Sequence, residues 1–243
     1  MVDFYLQEKL LNFNNYLEKR KEEISLKGET FGFLKQIVRL LQDYSSIITT
    51  NPKQILNDTL IHLGDYVSDF SLAPIGSFAL DCMRNEKLSV DLLASFTRIM
   101  KISDEEFLKL FCDCLKECSQ LNLGRDQGSN FRMSFSIPGG SYIEVKAARD
   151  SVGEVIFKIS ISRYPSLDQD PAIIHIKSMN DCLKNIGESF GDLRVLMSLM
   201  RSWREKSQLF FLAPEIMDIV LLTEFFSNNV GNLAYYVEYL FEK

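Results

Sequence analysis

The stretch "APIGSFALDCMRNEKLSVDLLASF", residues 73–96, decides how the chain is to be read. Gly76 and Ser77 form a small-residue turn, followed by Phe78, a polar interval, and then the apolar run Val90, Leu92 and Leu93 around a single acid, Asp91. Side chains at i and i+2 of a strand project to one face, so two acids at that spacing make a paired carboxylate site. Here the earlier position is Ser89, leaving Asp91 alone.

Outward from this stretch the apolar period changes twice. Leu6, Leu10, Leu11, Phe13 and Leu17, then Leu34, Ile37, Leu40, Leu41 and Tyr44, recur at helical spacing. The pattern continues through residues 52–70, with Pro52 placed at a helix start. The segments "LAPIGSF", "SVDLLASF", "FRMSFSI", "SYIEVKAA" and "EVIFKISIS" are short, rich in β-branched or aromatic residues, and bounded by turn formers, as strands are. Between the second and third, Ser103 and Glu106 make a capping box ahead of the apolar face Phe107, Leu108, Phe111 and Leu115. The "IPGGSY" interval predicts a hairpin, so the middle third reads as strand, strand, helix and a three-stranded meander.

The last third returns to helical spacing after the breaker "YPSLDQDP". In its second helix Leu193, Leu196, Met197, Met200 and Trp203 share one face, and Arg194, Arg201, Arg204 and Glu205 take the rest. The reading is an α+β protein in two parts: residues 1–165 as N-terminal helices with a mixed sheet lobe, and residues 166–243 as a C-terminal helical lobe.

Composition narrows the function. The 243 residues carry 27 Lys and Arg against 33 Asp and Glu, a net charge of −6, which is the wrong sign for a free-standing binder of nucleic-acid phosphates. No run reaches the ~18 apolar residues of a membrane span, and the charged N-terminal segment has no signal-peptide pattern. Five cysteines without such a signal predict reduced thiols inside the cell. Cys112, Cys114 and Cys118 lie close in sequence, but helical spacing puts only Cys114 and Cys118 on one face with no histidine near, so buried thiols are expected there rather than a metal.

Two-metal nucleotidyl transfer uses clustered carboxylates to hold divalent ions against the phosphates and the attacking hydroxyl. Ser89 is a poor ligand for a hard cation. A third acid would come from a neighbouring strand, where "VIFKISIS" offers Lys158 and Ser160, and Glu144 is the one strand acid left.

Gly76, Ser77, Phe78 and Val90-Asp91-Leu92-Leu93, with Asp91 fifteen positions after Gly76, resemble the DZF domain, the domain associated with zinc fingers. The likeness is strongest to the branch typified by interleukin enhancer-binding factor two, in which the first acid is also absent. "LDQDPAIIHIKSMNDCLKNI" and "LRVLMSLMRSWREKSQLFFLAPEIMDIVLLTEFFSNN" are similar to the family's later segments, so the matched stretches cover roughly residues 73–96 and 167–229. The family's lysine-glycine-threonine step is here Leu80-Asp81-Cys82, which puts an acid where a triphosphate would be repelled. The chain ends soon after "YYVEYLFEK", where DZF domains continue into the helices of their dimer interface. That implies a shortened member or a pairing surface built differently.

The resemblance implies a nucleotidyltransferase-like fold with a degenerate site at Gly76, Ser77, Ser89 and Asp91, no metal and no cofactor. It implies a catalytically inactive subunit that pairs, as a heterodimer, with another DZF-like or RNA-binding protein in a ribonucleoprotein complex of the nucleus, with the cytoplasm as a second location and no secretion, and reaches RNA through that partner. The candidate partner surface is Leu221, Phe225, Phe226, Tyr235, Tyr236 and Tyr239, and the candidate basic patch is Arg194, Arg201, Arg204 and Lys206. The alternative is an active template-independent transferase that holds Mg2+ and a nucleoside triphosphate on Asp91 with Asp81 or Glu144.

Overall fold

The computed structural model describes residues 27–50, 63–83, 88–121, 130–186, 190–208, 213–214 and 216–221. They divide into two compact units: one draws on Lys27–Ala79 and Leu88–Lys177, the other on Leu80–Lys87 and the residues from Ser178 onward.

The first unit is built on a five-stranded mixed sheet in the order β1-β2-β5-β4-β3. Its strands are β1 (Val67–Ile75), β2 (Ser89–Arg98), β3 (Arg132–Ser136), β4 (Ile143–Arg149) and β5 (Gly153–Ile161). β1 runs antiparallel to β2, β2 parallel to β5, and β3, β4 and β5 form the expected antiparallel meander. The parallel pair requires a crossover, and α4 (Asp104–Gln120) lies in that connection.

One face of the sheet is the core. Val90, Leu92 and Ala94 of β2, Ile143, Val145 and Ala147 of β4, and Val155, Phe157 and Ile159 of β5 are all 0% exposed. Alternation places them on one side, and complete burial of a large apolar side chain contributes about 1.5–3 kcal/mol. Helix α1 (Gly28–Thr50) covers part of this side with Phe33, Leu34, Ile37, Leu41, Tyr44 and Ile48, all buried and, from Leu34 on, spaced three or four apart. Helix α4 adds Phe107, Phe111 and Leu115. Phe96 stacks on Phe107 with ring centroids 4.0 Å apart, and Phe70 tilts against Phe111 at 5.0 Å.

Helix α4 starts as its sequence dictates. The Ser103 hydroxyl accepts from the Glu106 amide, and the Glu106 carboxylate accepts from the Ser103 amide at 3.0 Å. The β3–β4 connection is a 3-10 turn over Pro138–Gly140, closed by Gly139 and Gly140 at positive φ.

The helical expectation for residues 52–70 needs correction at its end. After the single turn α2 (Leu63–Tyr66), the chain enters β1 at Val67, not at Leu72. Val67 and Ser68 pair with Arg98 and Thr97, and the register shifts between Ser68 and Ser71, where Asp69 adopts φ +52°. A bulge thus interrupts the alternation that would have marked the strand. Residues 51–62, including Pro52, lie outside the described residues.

In the second unit helix α5 (Pro171–Ile186) crosses the boundary between the two units, and α6 (Phe190–Lys206) follows. Met197 of the expected apolar stripe is fully buried, and Val195 and Ser198 are buried with it. Arg194 and Arg201 are half-buried rather than solvent-facing, because each meets a carboxylate. No helix among the described residues is long and apolar enough to cross a membrane.

Candidate functional site

Strand β1 ends at Ile75, which pairs with Asp91 of β2. Gly76 then takes φ +65°, a conformation that L side chains rarely adopt, and turns the chain into the four-residue helix α3 (Gly76–Ala79). Ser77 stands in this first turn, and Phe78 packs on Phe31 with centroids 5.7 Å apart. A β-carbon placed on Gly76 would lie 3.8 Å from Oδ2 of Asp91, so the turn and the carboxylate are neighbours. The sequence reading brought these two together, and the structure does so as well.

Across the sheet, register assembles a row. Asp91 pairs with Lys158 of β5, Lys158 with Glu144 of β4, and Glu144 with Ser136 of β3. Residues in register on adjacent strands share a face, and this is the face opposite the core. Ser89 lies on it two residues before Asp91 and pairs with Ile156; Ser160 lies two residues beyond Lys158. The Lys158 ammonium stands 5.7 Å from the centroid of the Tyr142 ring, and the Glu144 carboxylate, 18% exposed, lies 3.8 Å from Lys146 Nζ. The row therefore alternates in sign: Asp91, Lys158 and Glu144, with Lys146 beside the last. Among the described residues no group of three or more His, Cys, Asp or Glu side chains is arranged to hold a metal ion.

Asp81 belongs to the other unit, in the segment that follows α3, and has φ +53°. Its carboxylate accepts from the Arg194 guanidinium. Burial lowers the tendency of Arg194 to hold its proton, and the Asp81 charge opposes that. Next to it the Ser198 hydroxyl donates to the Cys82 carbonyl at 2.8 Å. Burial pushes the Cys82 thiol up to about 11, against the pull of Arg201. Arg201 donates to Oδ2 of Asp218 at 2.5 Å, with side chains 14% and 1% exposed. Arg204 is half-buried and Lys206 exposed.

Sequence reasoning did not single out Asp218. The signal was an acid between Met217 and the apolar run that ends in Leu221, both buried. Leu221 is 3% exposed, whereas Ile216, Ile219 and Val220 of the same segment are 57%, 52% and 45% exposed. Phe225, Phe226, Tyr235, Tyr236 and Tyr239 lie outside the described residues. Cys112, Cys114 and Cys118 are buried free thiols, and desolvation pushes Cys114 up to about 12 and Cys118 up to about 11. Thiols so held are poor nucleophiles and poor metal ligands.

No protein-family model matches the chain, and no curated protein matches it. Solved structures do. CdnC of Escherichia coli MS115-1 with ATP superposes with a TM-score of 0.57 at 13% identity, over 90% of this chain and 69% of that one. CdnC in its complex with HORMA-deltaN gives 0.57 at 13% identity, over 88% and 65%. A cytoplasmic RNA terminal U-transferase gives 0.44 at 13% identity, over 81% and 47%. The chain thus spans about half the length of that U-transferase and about two thirds of CdnC. The architecture is a nucleotidyltransferase-like α+β fold.

Proposed function

We propose that this chain is a catalytically silent nucleotidyltransferase-fold protein that acts by pairing with another protein inside an RNA-associated complex. The observation that carries the reading is Lys158, in parallel register beside Asp91. A two-metal centre needs carboxylates converging on two divalent ions. The row supplies two acids, Asp91 and Glu144, with the Lys158 ammonium between them, Lys146 beside the second and a neutral hydroxyl at Ser89, so its near-neutral charge leaves the charge of an incoming cation uncompensated. The donor set does not suit the metal pair.

What remains is a well-packed scaffold, and the DZF resemblance supports a pairing role, with RNA reached through a basic partner in the nucleus. The exposed Ile216, Ile219 and Val220 support a partner surface near the one read from Leu221 onward. Arg194 and Arg201 are engaged by Asp81 and Asp218, which leaves this acidic chain little free basic surface on α6 and favours indirect contact with RNA. The competing reading is an active transferase using Asp91 with Glu144 or Asp81; Glu144 shares the row with Asp91, but Lys158 stands between them.

Affinity purification of the chain from its own cells, with and without RNase, tests the pairing. A stoichiometric partner that survives RNase and is lost on Ile219→Glu is expected. Recovery of the folded chain alone would overturn it.

A further inference from the structure

A second site lies at the other end of the same strands. The carboxyl ends of the parallel pair β2 and β5, with the β3–β4 turn, line an open cavity of about 690 Å3. That is within the roughly 300–1,000 Å3 range of small-molecule sites. None of Gly76, Ser77, Ser89, Asp91, Lys158 or Glu144 lines it, although Ser160 comes next but one after Lys158.

Its lining is cationic, hydroxylic and aromatic. Arg98 and Arg163 face one acid, Asp104, so the cavity carries a surplus positive charge on a chain whose net charge is −6. Arg98 is fixed: it donates to the Ile102 carbonyl at 2.6 Å and to Asp104, and lies 5.7 Å from the Phe96 ring centroid. Arg163 is exposed and forms no ion pair among the described residues.

The loop that carries Arg163 is braced from both sides. The Ser162 amide donates to the Ala94 carbonyl at 2.7 Å, and the Ser95 hydroxyl donates to the Tyr164 carbonyl at 3.1 Å. The Ser162 hydroxyl donates to the buried Asp170 at 2.6 Å and accepts from the Tyr164 amide. Tyr164, whose backbone is held this way, is nevertheless 40% exposed. A rigid loop that presents a guanidinium and an aromatic ring to a polar cavity is preorganised for a ligand.

We infer that this cavity binds a small aromatic phosphate of mononucleotide size. The phosphate is held by Arg163 and Arg98, polar groups of the ligand by the Ser141 and Ser160 hydroxyls, and its ring by Tyr164. Guanidinium groups match phosphate oxygens in charge and shape, which a neutral ligand would not use, and the Tyr164 ring favours an aromatic ligand over an aliphatic one. The site is independent of the silent row around Asp91.

The test is isothermal titration of the full chain with adenosine 5′-monophosphate, adenosine and inorganic phosphate at low salt. Arg163→Glu, Tyr164→Ala and Asp91→Asn variants are compared, with folding checked by circular dichroism. Expected is binding of the monophosphate about tenfold or more tighter than adenosine or phosphate, weakened about tenfold or more by Arg163→Glu. Tyr164→Ala should remove the preference over inorganic phosphate, and Asp91→Asn should change nothing. No binding at millimolar monophosphate, or binding lost in Asp91→Asn and kept in Arg163→Glu, would overturn the assignment.

Discussion

Replacing Asp218 by Asn tests the energetics of the helical unit most sharply. Asp218 is 1% exposed and Arg201 14%, and their contact is 2.5 Å, so both charges sit away from water and compensate each other. Removing one partner leaves a buried guanidinium uncompensated, which costs about 3–5 kcal/mol. For a chain of this length each kcal/mol moves the melting temperature by roughly 2–4 °C, so Asp218→Asn should melt roughly 6–20 °C lower. Replacing both, as Arg201→Met with Asp218→Leu, removes the desolvation cost along with the attraction and should restore most of that loss or exceed it. Thermal and urea unfolding of the wild type, Arg201→Met, Asp218→Leu and the double variant closes the cycle, with Asp218→Asn measured beside them. A shift below about 1 kcal/mol in both single variants would mean that the pair is solvated, and the argument from burial would fail.

The other predictions are shorter. On β2, Leu92→Ala should cost about 2–5 kcal/mol and Asp91→Asn under about 0.5 in urea unfolding, because the first empties the core face and the second alters the open one. Gly76→Ala should destabilise by about 1 kcal/mol, the strain lying in its φ of +65° and not in space, since the added carbon meets nothing closer than 3.8 Å. Glu106 is held below its ordinary carboxylate value by the Ser103 hydroxyl and amide. A depressed carboxyl contributes stability above its unfolded value that is lost as pH falls through the folded one. Glu106→Gln should therefore flatten the acid limb of a melting-temperature profile below about pH 4.5.

Much of the sheet was legible because its signals are local. The Ser103–Glu106 box, the Pro-Gly-Gly turn and the period-two strands each act within a few residues and appear where the sequence puts them, except at both ends of β1, which starts at Val67 and gives way to helix α3 at Gly76. That Gly76 and Asp91 belong to one site was implied by the family resemblance, and a β-carbon placed on Gly76 would lie 3.8 Å from the carboxylate. The row was legible only in part: Lys158 and Glu144 were named as strand residues, but register across three strands is a long-range property that periodicity does not fix. Arg194 and Arg201 were read as outward-facing because charge was taken as a sign of solvent. Their carboxylate partners, Asp81 and Asp218, lie 113 and 17 positions away, and no pattern on α6 encodes them. The entry into β1 was missed for a related reason: the bulge at Asp69 breaks the alternation that would have marked the strand.

The measurement that bears most directly on the proposed loss of catalysis at Asp91 is nucleotidyl transfer to an RNA 3′ end with Mg2+ or Mn2+. It would be run on the wild type beside Ser89→Asp with Lys158→Asp, which rebuilds a three-carboxylate set around Asp91. The account predicts no turnover and no manganese binding by the wild type, and manganese binding by the rebuilt variant. Turnover by the wild type that disappears in Asp91→Asn would contradict it.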